Sequence, residues 1–180
     1  MVEAGHGGLT LLIPEDELRA GVATLAREID RDYATTGVVI VCVLKGAAVF
    51  TADLLRILRA EVHRLEFVRA SSYGSGTQSS GDVRVTGTLD TRYMAGQHVL
   101  IVDDIADTGH TGMAVKDYIR SLGPASLRYC TLLDKPERRE VEVQYDYVGF
   151  TIPNHFVVGY GMDFDERYRG LPAIYYFPDP

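Results

Sequence analysis

Residues 38–44 read Val-Val-Ile-Val-Cys-Val-Leu, seven apolar side chains in a row and most of them β-branched. A strand with one wet face alternates apolar and polar residues; a strand with none is covered on both faces, as in a parallel sheet with helices above and below it. The runs RLEFVRA (64–70), HVLIVD (98–103), SLRYCTLL (126–133) and HFVVGYG (155–161) read as further strands. Between them lie segments of helical period. Strands alternating with helices imply an open α/β sheet with right-handed crossovers. In such sheets ligands bind beyond the C-terminal strand ends, near where the strand order reverses.

The first helix opens at Pro14 with Glu15, Asp16 and Glu17, carries Leu18, Val22, Leu25 and Ile29 at helical spacing, and ends at Thr36-Gly37. AVFTADLLRILRA (48–60) and GMAVKDYIRSLG (112–123) read as two more, the second closed by Gly123. Residues 71–82, SSYGSGTQSSGD, are too polar and too rich in Ser and Gly to pack, and read as a long mobile loop. A chain of 180 residues is expected to form a single domain, 1–180, with its own core. Cys42 and Cys130 lie inside apolar runs without metal-type spacing, so both are expected to be reduced core residues. The N-terminus has no basic, then apolar, leader pattern, and no stretch approaches the roughly 18 apolar residues of a membrane span. The expected location is cytoplasmic, with no membrane partner.

Charged residues gather where each strand ends: Lys45, then Asp103, Asp104 and Asp107, then Lys135, then Asp163. A strand followed by the short turn DTGHTG and a helix aims backbone N–H groups and the positive helix end at one spot, which suits a phosphate. Thr108 and Thr111 can add hydroxyl donors. Taken alone, the same turn is equally a tight strand-to-helix connection, and neither the P-loop pattern nor the dinucleotide GxGxxG is present. Asp103 and Asp104 precede that turn and suit the hydroxyls of a sugar, with a solvated loop or a magnesium site as the open alternatives. Asp107, inside the turn, can accept a proton as a general base.

With these residues in place, HVLIVDDIADTGHTG resembles the phosphoribosyl diphosphate signature of the purine phosphoribosyltransferases. The likeness runs from VVIVCVLKGA to GLPAIYYF and agrees with the hypoxanthine-guanine branch. It implies a type I phosphoribosyltransferase fold, a central mostly parallel sheet flanked by helices, with a small hood region and a mobile lid loop. It implies that Thr108, Gly109, His110 and Thr111 hold a 5′-phosphate, that Asp103 and Asp104 take the ribose hydroxyls, and that Asp107 faces N7 of the purine. Lys45 and Gly46 would bind diphosphate, often through a cis peptide between Leu44 and Lys45, together with Arg169. Ser72 and Tyr73 would belong to the lid, which protects an oxocarbenium-like state from water.

The same resemblance puts Lys135 at the exocyclic oxygen of purine C6, Phe156 in a stack on the base, and Val157 and Asp163 at its edge. An ammonium donor favours an oxo group over an amino group, so adenine should be rejected. Mg²⁺ is the implied cofactor, on Asp163 with Asp103 and Asp104. The implied substrates are phosphoribosyl diphosphate and a 6-oxopurine, the products IMP or GMP, and the assembly a homodimer or homotetramer. Two departures stand out: Asp103 where many members carry Glu, and His110 where a basic residue is common. An RNA-binding regulator on the same fold is the alternative from another class. The net charge of −7 and the pairing of Lys135 with Phe156 speak against it, so no nucleic-acid partner is expected.

Overall fold

The apolar run at 38–44 is an interior strand of a six-stranded sheet, buried along its length except at Leu44. The computed structural model describes residues 8–72, 83–87 and 89–178. In chain order the elements are β1 Thr10–Ile13, α1 Glu15–Tyr33, β2 Val38–Leu44, α2 Ala47–Ile57, β3 Val62–Ser72, β4 Val83–Gly87, β5 His98–Ala106, α3 His110–Ser121, β6 Ser126–Asp134, β7 Tyr147–Thr151, β8 Val157–Val158 and β9 Ile174–Tyr176.

The main sheet has the order β4-β3-β2-β5-β6-β7, parallel throughout except for the antiparallel edge strand β4. From β2 the chain moves outward to β3, then returns to pair β5 on the other flank of β2. The order therefore reverses between β2 and β5, and a crevice opens there beyond the strand ends.

Period-two alternation divides the core between the two faces of this sheet. On one face Ile40, Leu100, Val102 and Leu132 pack with Leu18, Val22, Leu25 and Ile29 of α1 and with Phe50 and Leu54 of α2. On the other, Val39, Val41, Val99, Ile101 and Tyr129 pack with Val115 and Ile119 of α3. Each large side chain so buried stabilises the fold by roughly 1.5–3 kcal/mol relative to exposure. Helix α1 carries Glu15, Asp16 and Glu17 in its first turn, where they complement the positive helix end. It stops before Gly37, whose φ of +65° suits a residue without Cβ and whose N–H closes on the Tyr33 carbonyl at 3.1 Å.

The structure departs from the sequence reading in four places. Helix α2 ends at Ile57, because Leu58 turns extended, rather than running to residue 60. Strands β4 and β7 extend the main sheet at its two edges. HFVVGYG contributes only the two-residue β8, because Gly159, Tyr160 and Gly161 take φ of 100°, 49° and 102° and turn the chain out of the strand. That strand joins β1 and β9 in a separate antiparallel three-stranded sheet, the small hood. The loop expected at 71–82 is described only through the backbone of Ser71 and Ser72, which extend β3; Tyr73 lies outside the described residues.

Candidate active site

Two cavities meet at the crevice between β2 and β5. The larger, about 600 Å³, is lined by Lys45, Gly46, Asp104, Asp107, Lys135, Phe156, Val157, Asp163 and Arg169, among others. The smaller, about 280 Å³, is lined by Asp103, Thr108, Gly109 and Thr111 and shares Lys45, Gly46, Asp104 and Asp107 with the first. Of the expected residues outside the 71–82 loop, only His110 lines neither. Its ring Nε2 pairs instead with Glu140 at 3.0 Å, so the phosphate turn is left to backbone and hydroxyl donors.

Each wall follows from a strand end. The Leu44–Lys45 peptide is cis, and Gly46 follows at the start of α2. A Cβ at Gly46 would run into the Asp104 carboxylate, so only glycine lets the two segments approach this closely. On the far side of the switch point, β5 ends in the acidic pair. Asp103 is placed on the α3 face with Val99 and Ile101, and Asp104 on the opposite face with Leu100 and Val102.

The turn after β5 then enters α3. Gly109 has φ +96°, and a Cβ there would strike the Val141 carbonyl. The turn is clamped from outside, since Glu140 and Val141 both donate backbone N–H bonds to the Thr108 carbonyl, at 2.9 and 3.0 Å. No side chain caps α3, whose first N–H bond to a preceding turn is Met113 to Gly109 at 2.9 Å. Gly109, Thr111 and Gly112 at this uncapped helix start line the smaller cavity, and a helix N-terminus of this kind suits an anion.

The acidic pair is held in an unfavourable state. Burial, then the neighbouring charge of Asp104, drives the Asp103 carboxyl well above the usual carboxylate range, while the Tyr129 hydroxyl donates to it at 2.7 Å and opposes the rise. Burial raises Asp104 as well, against hydrogen bonding to Asp103 and the charge of Arg169. Asp103 also accepts the Asp104 N–H at 3.0 Å. Tyr129 is itself fully buried, and no sequence signal separated it from an ordinary core tyrosine.

At the other end of the larger cavity Lys135 is buried, and desolvation lowers its ammonium below the usual lysine value even though Asp107 opposes this. Asp107 accepts from Arg138 Nε at 3.2 Å, a partner the sequence reading did not single out. Phe156 is 55% exposed, a large apolar ring left bare at the cavity wall. It is braced edge-on by Phe164, with centroids 5.7 Å apart and planes at 87°. Asp163 faces Arg169 at 2.8 Å, and Glu166, also unanticipated, pairs with Lys45 at 2.8 Å and Arg169 at 3.3 Å. Lys45 first, then Arg169, holds the Glu166 carboxyl below its usual value.

The expected metal ligands do not converge. Among the described residues no three His, Cys, Asp or Glu side chains form a group able to hold a metal ion. Asp104 and Asp163 do line the same cavity, whereas Asp103 lines only the smaller one and is engaged by Tyr129 and Asp104. Two hard oxygen donors lining one cavity fit a magnesium ion that would draw its other ligands from water and substrate oxygens.

Residues 14–165 match the model of the phosphoribosyl transferase domain. The chain is 46% identical over 166 residues to a hypoxanthine phosphoribosyltransferase of Escherichia coli, covering 91% of this chain and 92% of the relative. It is 43% identical over 172 residues to a hypoxanthine-guanine phosphoribosyltransferase of Aquifex aeolicus, covering 95% and 96%. A crystal structure of a hypoxanthine-guanine phosphoribosyltransferase from Bacillus anthracis, with a HEPES molecule in its active site, superposes with a TM-score of 0.85 at 43% identity, covering 92% of this chain and 96% of that one.

Proposed function

The chain belongs to the phosphoribosyl transferase family, and from that premise we propose how its residues carry out the purine-salvage reaction of a hypoxanthine (guanine) phosphoribosyltransferase. The reaction joins N9 of a 6-oxopurine to C1′ of phosphoribosyl diphosphate, with inversion and loss of diphosphate, giving IMP or GMP. The observation that carries this assignment is the shared wall. Asp104 and Asp107 separate a compartment ending in the open N-terminus of α3 from one ending in Lys135 and the bare ring of Phe156. A nucleotide needs those two ends and a sugar between them.

The 5′-phosphate is assigned to the backbone of Thr108, Gly109, His110 and Thr111, with the Thr108 and Thr111 hydroxyls. Asp104 receives ribose hydroxyls, with Asp103 behind it. Phe156 stacks on the base, which suits any flat ring and so adds affinity more than choice. The choice falls to Lys135: its ammonium donates to the oxygen at C6 and would meet only another donor in adenine. Val157 and Asp163 border the C2 edge. Asp107 accepts the proton from N7 as N9 attacks, aided by Arg138, which fixes its carboxylate. Lys45, Gly46 and Arg169 receive the diphosphate, and Ser72, at the end of β3, and Tyr73 are assigned the role of covering it. Asp163 and Asp104 are the residues that would hold Mg²⁺, which when bound stabilises the departing diphosphate as a Lewis acid.

Among the described residues no helix is long and apolar enough to cross a membrane. A cytoplasmic homodimer or homotetramer is the proposed setting, to be checked by light scattering. The reaction is tested by following diphosphate release from phosphoribosyl diphosphate and Mg²⁺ with hypoxanthine, guanine, xanthine and adenine in parallel. Turnover with 6-oxopurines and none with adenine is expected. Equal turnover with adenine would remove Lys135 as the selector, and silence with all four would sink the assignment.

A further inference from the structure

Glu166 has no part in the reaction above, yet it occupies the place where the diphosphate should lie. One of its carboxylate oxygens is 2.8 Å from Lys45 Nζ and the other 3.3 Å from an Arg169 guanidinium nitrogen, and all three residues line the larger cavity. A carboxylate spanning two cations by separate oxygens reproduces the contacts that a bridging phosphate would make.

Its position is built by the backbone. Phe164 and Arg167 exchange N–H to carbonyl bonds of 3.2 and 3.0 Å across a two-residue turn, and the residues between them, Asp165 and Glu166, have φ of 51° and 61°. Such a turn ordinarily takes Asn-Gly or Asp-Gly, because a side chain with Cβ is disfavoured at positive φ. Here a glutamate stands at its second position. Its own N–H is anchored on Asp163 at 2.9 Å, and Asp163 in turn holds Arg169 at 2.8 Å. Backbone strain is therefore accepted at a site whose side chain pairs with Lys45 and Arg169, the two cations assigned to the diphosphate.

We propose that Glu166 is an internal counter-anion that fills the diphosphate subsite between Lys45 and Arg169 until the substrate displaces it, and so sets the affinity for phosphoribosyl diphosphate and for the diphosphate product. The proposal rests on the assignment of Lys45 and Arg169 to diphosphate. Glu166 is 64% exposed in its side chain, so it can swing into solvent without disturbing packing, and exposed ion pairs are weak enough for a more highly charged ligand to replace. Weaker retention of diphosphate would in turn speed product release.

The test is calorimetric titration of inorganic diphosphate, phosphoribosyl diphosphate and IMP into the wild-type protein and Glu166→Gln, with magnesium in the buffer. The substitution should tighten the first two by about threefold to tenfold, the range that two exposed ion pairs allow, and leave IMP, which carries no diphosphate, unchanged. In a Lys45→Met background the same substitution should have less than about twofold effect, because its partner is gone. Dissociation constants unchanged in Glu166→Gln, or weakened, would overturn the proposal while leaving the assigned reaction intact. Wild-type protein that binds IMP but neither diphosphate ligand would overturn the assignment of Lys45 and Arg169, and this inference with it.

Discussion

At the N-terminal end of the main sheet Asp32 accepts hydrogen bonds from the Tyr147 hydroxyl, at 2.8 Å, and from Arg128; at the C-terminal end Asp103 and Asp104 stand side by side. The consequences are opposite. The Tyr147 hydrogen bond, then Arg128, holds the Asp32 carboxyl below its usual value, whereas burial and mutual charge raise Asp103. One end ties α1 to β6 and β7 with compensated charge. The other places two carboxyls side by side at the cavity, where burial raises both, the arrangement found where a site is shaped for a ligand.

The difference can be broken or sharpened by substitution. The largest effect is expected at the open end. Asp107→Ala should lower kcat by about 10²- to 10⁴-fold, the range for a lost general base, with a smaller change in phosphoribosyl diphosphate binding and a melting temperature near that of the wild type. Steady-state kinetics beside a thermal melt would show it, and retained kcat with lost stability would reverse the roles of the two ends. Lys135→Met should lower kcat/KM for hypoxanthine by roughly 10- to 100-fold, the size of a lost charged hydrogen bond, and free the protein from burying an ammonium. A melting temperature that falls sharply in this variant would make Lys135 a structural residue.

The closed end should behave in the contrary way. Arg128→Met is expected to destabilise by about 1 kcal/mol in urea unfolding, since this network is partly exposed, and to leave turnover unchanged. The smallest effect is its pH dependence. Asp32 has a folded value below its ordinary 3.8, so its contribution is present above that pH and is lost as pH falls through the folded value. The cost of Arg128→Met should therefore shrink between neutral pH and about pH 3. A cost that is constant over that range would remove Asp32 from the network.

Much of this is legible in the amino-acid sequence. VVIVCVL named a doubly covered strand, and the charges that follow β2, β5 and β6 named the crevice, because the strand ends of a parallel sheet are fixed by the same apolar runs that identify it. What escaped depends on contacts distant in sequence. Tyr129 reads as core until its hydroxyl is seen on Asp103, 26 residues away, and Arg138 reaches Asp107 across 31. Glu166 sits in DERYR, a segment that reads as a solvated surface, and its role emerges only when Lys45, 121 residues distant, is brought beside it. HFVVGYG reads as another full strand because its apolar content says nothing of the positive φ at Gly159 and Gly161.

Asp103→Asn, with melting temperature and turnover measured on the same protein at pH 7.5 and pH 4, tests most directly whether the open-end carboxylates serve the reaction against the interest of the fold. A carboxyl raised on folding contributes stability below its unfolded value, and this is lost as pH rises through the folded value, so at neutral pH the charge opposes folding. The variant should melt higher than the wild type at pH 7.5, by about 2–4 °C for each kcal/mol relieved, with a smaller gain at pH 4, and should turn over more slowly. A variant that melts lower at pH 7.5 and keeps full turnover would contradict it.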